Sequence, residues 1–91
     1  MPYIIPADRI QFDPKIKEVI SVITNNGSSK AKVGDINYVF SKIIWELFDK
    51  NPSYTLGNDL MGVLEGVRSE FYRRKLGPYE DQKMKENGDI Q

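Results

Sequence analysis

The chain has 91 residues, and its 13 basic and 13 acidic side chains give a formal net charge of zero. It contains no cysteine and no histidine, which excludes disulfides, zinc sites built on those residues, and catalysis by Cys–His or Ser–His–Asp groups. A chain this short buries only about 60–65% of its unfolded surface. Oligomerisation is therefore the expected source of additional stability.

The charge balance and the N-terminal sequence narrow the class of protein. A protein that coats nucleic-acid polymers usually carries a basic excess, which is missing here. No apolar run reaches the roughly 18 residues of a membrane-spanning helix. The opening "MPYIIPADRIQFDPK" lacks the basic segment and long apolar core of a secretory signal. Together with the absence of cysteine, this predicts a cytoplasmic protein with no membrane association.

The first third of the chain predicts an arm and one helix. Residues 1–12 hold two prolines among apolar side chains, which favours an extended arm. Asp13-Pro14 is a typical helix start, with the aspartate as N-cap. The apolar face of this helix consists of Ile16, Val19, Ile20 and Ile23, at helical spacing. Residues 25–27, Asn-Asn-Gly, are expected to end it before a polar loop.

A second helix is predicted from about Ile36 to Lys50, with Asp35 as its N-cap. Its core face consists of Ile36, Val39, Phe40, Ile43 and Leu47, widened by Ile44 and Phe48. Tyr38 and Trp45 lie on the opposite side of the helix. Two interpretations stay open: a central helix that packs on several neighbours of its own chain, or a Tyr38/Trp45 side that meets another subunit or a ligand.

A third helix is predicted from Tyr54 or Thr55 to Leu76. Its core face consists of Leu56, Leu60, Val63, Leu64, Val67 and Phe71. Gly77 is the expected C-terminal stop, and Pro78 the start of a short, charged fourth helix over residues 78–87. With no strand-like alternation, the prediction is an all-α fold: a small bundle of three main helices, a short C-terminal helix and an extended N-terminal arm. One domain, 1–91, has its helical core at 13–77 and a charged end at 78–91.

Small residues follow one line on the back of the third helix. Gly62, Gly66 and Ser69 lie opposite the core face and lead to Arg73. Each glycine costs a helix roughly 0.5–1 kcal/mol relative to alanine, and a small stripe lets another backbone approach closely. The interpretations are a solvated surface, a contact within the chain, another subunit or a ligand. We take Gly62, Gly66, Ser69 and Tyr38 as the candidate oligomer interface.

A cluster of cations and aromatic rings marks the end of the third helix. The candidate ligand-binding residues are Tyr72, Arg73, Arg74, Lys75 and Tyr79, with Trp45 from the second helix. Three cations at a helix C-terminus also suit the helix dipole, and Glu70 can pair with Arg73 or Arg74. The functional alternative is an anion site, because arginine binds phosphate bidentately and aromatic rings stack on bases.

Catalytic apparatus is not evident. Asp59 and Glu70 are three helical turns apart and Glu65 points elsewhere, so no pair has the spacing of a helical metal site. No phosphate-binding Walker loop occurs. We therefore predict a protein that is not an enzyme and that uses no metal or cofactor. A catalytic role would instead require Mg²⁺-dependent turnover at one of these carboxylates.

Several segments together resemble a known family. They are "MPYI", "GDINYVFSKIIWEL" and "DLMGVLEGVRSEFYRRKLGPYEDQKMKENGDI", which carry the pattern G-D-x-N-Y-V, V-L-E, Y-R-R, Y-E-D-x-K and E-N-G-D. The chain resembles, over nearly its whole length, an uncharacterised family of short proteins found in phages and in some bacteria and archaea. The resemblance implies an intact stand-alone protein. It implies no activity and assigns no site residues.

These observations predict a non-enzymatic binding protein that forms a homo-oligomer. If phage relatives are a guide, a specific version is a sponge in the host cytoplasm that sequesters a nucleotide signal, such as a cyclic one, used in host defence. The alternative is a protein–protein adaptor or inhibitor that docks through the Tyr38/Trp45 side or the glycine stripe.

Overall fold

The computed structural model describes residues 3–91, and this part of the chain is all-α, which confirms the predicted fold class. The chain divides into two units, Met1–Lys50 and Asn51–Gln91. The first contains α1 (Pro6–Arg9), α2 (Asp13–Ile23) and α3 (Val33–Lys50). The second contains α4 (Tyr54–Phe71), a π turn (Tyr72–Leu76) and α5 (Gly77–Asn87).

The N-terminal arm is only partly extended. Met1 and Pro2 lie outside the described residues, and Ile5 has the extended conformation that was predicted. Pro6 then opens the four-residue helix α1, which corrects the expectation of an arm without helix. Proline is well suited to a first helical position because its φ is already helical. The Arg9 side chain closes this turn, its Nε donating to the Ile4 carbonyl at 3.0 Å.

Two helix ends follow the local sequence signals, whereas the predicted Asp13 cap is wrong: Asp13 is the first residue of α2, and Phe12 takes the capping position without a side-chain hydrogen bond. After α2 the backbone turns left-handed at Asn25, Asn26 and Gly27, with φ of 50°, 57° and 83°. The Asn26 N–H donates back to the Ser21 carbonyl at 2.7 Å. Helix α4 begins where predicted, and the Ser53 hydroxyl caps it by accepting from the Leu56 N–H at 3.0 Å. Helix α3 begins at Val33, so Asp35 lies in its first turn and is not the predicted N-cap.

The second unit is one uninterrupted helix. The 18 residues of α4, five of the π turn and 11 of α5 follow each other without a break. Gly77 has φ −56° and ψ −54°, which is right-handed helix. The prediction that Gly77 stops the helix is therefore wrong. At 1.5 Å per residue the helix from Tyr54 to Asn87 is roughly 50 Å long.

The predicted apolar faces do not form a buried core. None of the residues described is buried, and the third helix keeps Val67 56% and Phe71 58% exposed. On α3, Phe40, Ile43 and Leu47 are exposed, while Ile44 and Phe48 on the widened edge are half-buried. Neither unit on its own therefore closes a buried core over these faces. Periodicity identified which side of each helix is apolar but not what covers it.

Candidate functional site

The cationic cluster coincides with a π turn. Tyr72 to Leu76 form five-residue hydrogen-bonded turns, and the Gly77 N–H donates to the Tyr72 carbonyl. Pro78 explains this widening. In a regular α-helix its ring would clash with the carbonyl of Arg74, four residues earlier, and it has no N–H to donate there. A π turn removes that conflict without ending the helix, and such turns occur frequently at functional sites.

Gly77 is required by the same geometry. A Cβ built on Gly77 would lie 3.0 Å from the Tyr72 carbonyl oxygen and 3.8 Å from a carbon of the Tyr72 ring. Ordinary side chains avoid so close a contact with backbone. The glycine therefore serves a close backbone approach inside the helix and not a left-handed stop.

Two of the three clustered cations share one carboxylate. Arg73 Nη2 donates to both Glu70 carboxylate oxygens, at 3.0 and 3.1 Å, and Arg74 Nη1 lies 3.7 Å from Glu70 Oε2. This confirms the predicted pairing of Glu70 with these arginines. Within residues 3–91, Lys75 forms no ion pair. The cluster on the π turn thus keeps a local excess of positive charge.

Tyr72 is tied to α5 across the π turn. Its hydroxyl donates to Glu80 Oε1 at 2.8 Å. The two residues are eight apart, and one π turn followed by one α turn spans roughly that number, so they lie on the same side of the helix. The hydrogen bond to the Glu80 carboxylate, and the negative charge it carries, raise the pKa of Tyr72.

This raised pKa gives a testable titration. Because the folded protein favours the protonated phenol, the bond's contribution is complete below the ordinary tyrosine pKa of about 10 and is lost as pH rises through the higher folded value. The titration step of Tyr72 is the one that is absent from Tyr72→Phe, and we expect its pKa to lie above the ordinary value. Glu80→Gln should lower the pKa of this step. Ultraviolet absorbance measures the step. Glu46→Gln, on α3, is the control, and an unchanged step in Glu80→Gln contradicts the assignment.

The remaining candidate residues lie on either side of this cluster or in the other unit. On α5, Lys83 Nζ lies 5.6 Å from the centre of the Tyr79 ring, a cation–π distance. Trp45 belongs to α3, in the first unit. Trp45 and Tyr38 are 70% and 65% exposed and line one shallow surface groove on α3 with Val33, Gly34, Asn37, Ser41 and Lys42. The two-sided apolar character predicted for this helix is confirmed.

The small-residue stripe lies on a partly open surface. A Cβ on Gly62 would meet nothing within 4 Å, and Ser69 is exposed while Gly66 is half-buried. Arg73, at the end of the stripe, points its guanidinium to Glu70. The assignment of Gly62, Gly66, Ser69 and Tyr38 to an oligomer interface stays a prediction.

Three features of the site escaped the sequence analysis. They are the π turn, the Tyr72–Glu80 bond, and a bidentate pair between Arg68 and Glu65 at 2.7 and 3.1 Å. Arg68 lowers the pKa of Glu65, chiefly through this hydrogen bonding. The spacing of three residues was a sufficient signal for the pair.

The described residues contain no group of three or more metal-ligating side chains placed to hold an ion. Among the helices seen in residues 3–91, none is long and apolar enough to cross a bilayer.

The fold and the site define a small all-α protein with an Arg/Tyr cluster on an internal π turn. Residues 1–90 match the model of a family described as Domain of unknown function (DUF6899), and the chain belongs to that family. This confirms the resemblance to an uncharacterised family of about this length. The occurrence of its members in phages stays a prediction. Searches among curated proteins and among solved structures give no match.

Proposed function

We propose that this protein is a non-enzymatic binding protein that acts as a homo-oligomer and takes an anionic ligand at the π turn. The observation that supports this most directly is the cluster Arg73, Arg74 and Lys75 on a widened helical turn, with a single carboxylate, Glu70, shared by the two arginines. A phosphate group can compete with Glu70 for these guanidinium donors, because the Arg73 and Arg74 side chains are 69% and 59% exposed, while Glu70 itself is 25% exposed.

A nucleotide is the ligand class that uses all parts of the cluster. Phosphates suit the cations, while the rings of Tyr72 and Tyr79 supply stacking surfaces next to them. Trp45 belongs to the other unit, and its role in ligand binding stays a prediction. The specific version is the sequestration of a cyclic or linear nucleotide signal of host defence, in the cytoplasm of a phage host. The absence of a basic excess favours such a small ligand over a nucleic-acid polymer.

Isothermal titration against a panel of cyclic and linear nucleotides tests this function. With micromolar protein we expect heat from at least one nucleotide, and about a tenfold loss of affinity in Arg74→Ala, the size typical of one charge-assisted contact. Lys42→Ala is the matched control, because Lys42 is a cation paired with Glu46 on α3. No heat with any nucleotide contradicts the proposed ligand. Equal losses in both variants contradict the proposed site.

A protein–protein adaptor or inhibitor is the second candidate function. The exposure of Tyr38 and Trp45 on one groove of α3 favours it, since aromatic residues are enriched at the centres of interfaces. Trp45 is the only tryptophan of this chain, so the chain's own tryptophan fluorescence reports on this groove. A blue shift beyond the sum of the two separate spectra on adding a purified host protein, with none on adding nucleotides, separates the adaptor from the sponge.

A further inference from the structure

The long helix of the second unit carries an apolar stripe that runs past the predicted third helix. We define the apolar stripe as Leu56, Leu60, Val63, Leu64, Val67, Phe71 and Leu76. Up to Phe71 the spacing is that of an α-helix, three or four residues. Leu76 follows Phe71 by five residues, the hydrogen-bond spacing of a π turn. The π turn therefore keeps Leu76 on the side of Phe71, and Leu76 and Tyr79 line one depression on α5.

This stripe has no partner within its own unit. Residues 51–91 contain a single helix, so no second element of that unit can cover it. Val63, Val67 and Phe71 are all more than half exposed. An isolated helix is marginal in water, and most helical stability comes from packing of its apolar face. A helix with this stripe needs another element alongside it.

The length of the stripe indicates which element can cover it. The helix from Tyr54 to Asn87 is roughly 50 Å long, whereas α3, with 18 residues, is roughly 27 Å long. Among the helices described, only this helix in another copy of the chain matches its full length. A net charge of zero allows two copies to approach without overall repulsion.

The footprint of the helix is also sufficient for a specific pair. A helix roughly 50 Å long and about 10 Å wide offers a face of about 500 Å² in each copy. Two such faces together reach about 1000 Å², the area that a specific interface needs.

We propose that the apolar stripe pairs the helix Tyr54–Asn87 with the same helix of a second copy, and that the π turn keeps the stripe continuous along both. This interface is on the side opposite Gly62 and Ser69. This proposal rests on the self-association that is part of the proposed function and names the surface that forms it. It does not depend on a nucleotide ligand.

Single cysteines test this interface cleanly, because the natural chain has none. Val67→Cys places a small, weakly polar side chain on the stripe, and Ser69→Cys places the same group on the opposite side. Light scattering gives the mass of each variant, and a soluble thiol reagent gives its reaction rate over a dilution series. With the pair formed, we expect Cys at 67 to react roughly tenfold more slowly than Cys at 69, because a covered thiol reacts only when the pair opens. The difference should disappear on dilution, together with the oligomer.

Several results would overturn the proposal. Equal rates at the two positions, at concentrations where the protein is an oligomer, show that the stripe is not the interface. Protection at position 69 instead favours the glycine side. Protection at position 67 in a monomer, independent of dilution, shows that the stripe is covered by its own chain. If Val67→Cys loses helicity, Val63→Cys, one turn earlier, replaces it. If nucleotides give heat in the isothermal titration but Cys at 67 is not protected, this interface is refuted and the ligand is not. If Cys at 67 is protected but no nucleotide gives heat, the ligand is refuted and the interface is not.

Discussion

Phe71→Asp is expected to dissociate the protein and to unfold most of the helix between Tyr54 and Asn87. The substitution places a charge in the middle of the apolar stripe, where pairing with a second copy would bury it. An unpaired charge at such a position costs at least about 3–5 kcal/mol, which is a large part of the stability of a small domain. Without the pair, the second unit is a single helix held by its own hydrogen bonds and exposed ion pairs.

Far-ultraviolet circular dichroism and light scattering measure the two effects of Phe71→Asp together. Ser69→Asp is the matched control, because it adds the same charge two residues away on the exposed opposite side, where substitutions usually change stability by less than about 0.5 kcal/mol. Gly62→Leu adds a test of the glycine stripe. If Phe71→Asp keeps the wild-type mass and helicity while Gly62→Leu dissociates the protein, the interface lies on the glycine side.

Pro78→Ala is expected to convert the π turn into regular α-helix while weakening the assembly. Alanine restores the missing N–H and removes the ring, and it is about 3 kcal/mol more favourable than proline inside a helix. A π turn holds about one residue more than an α turn, so its conversion to α-helix rotates α5 by about 100° relative to α4. Leu76 then leaves the apolar stripe, and the Tyr72 hydroxyl no longer reaches Glu80.

In Pro78→Ala, helicity and self-association are expected to change in opposite directions, so a general loss of stability would not give the same result. Helicity should stay equal or rise, whereas the oligomer should dissociate at a higher protein concentration and the pKa of Tyr72 should fall towards its ordinary value. Pro52→Ala is the control, since Pro52 lies before α4 and outside every helix. A variant that keeps both the raised pKa and the wild-type dissociation would show that Pro78 does not cause the π turn.

The end of α2 and the start of α4 could be predicted because each depends on a short stretch of chain. Asn25 to Gly27 adopt left-handed conformations that few other residues accept, and Ser53 caps α4 with its own hydroxyl. Gly77-Pro78 was misread because the same pair usually separates two helices. The contrary signal was the five-residue spacing from Phe71 to Leu76, which continues the apolar stripe only if the helix continues through a wider turn.

The candidate site was predictable in part for the same reason. The pairing of Glu70 with Arg73 and Arg74 follows from regular helical spacing and is confirmed. The Tyr72–Glu80 bond depends on the π turn and has no counterpart in a regular helix. What covers each apolar face lay beyond the sequence, because an amphipathic pattern is the same whether its partner is the same chain or another molecule.

Under the proposed pairing, the apolar stripe would link the fraction of this protein that is folded to the amount that the cell makes. When a second copy supplies the cover, the folded fraction follows mass action and rises with total concentration. At low abundance the separated chains present unpacked helices to cellular proteases, while at high abundance they protect one another. The protein then responds to gene dosage with a threshold: little active material accumulates until synthesis passes the dissociation constant, after which the pool grows almost in proportion to further synthesis.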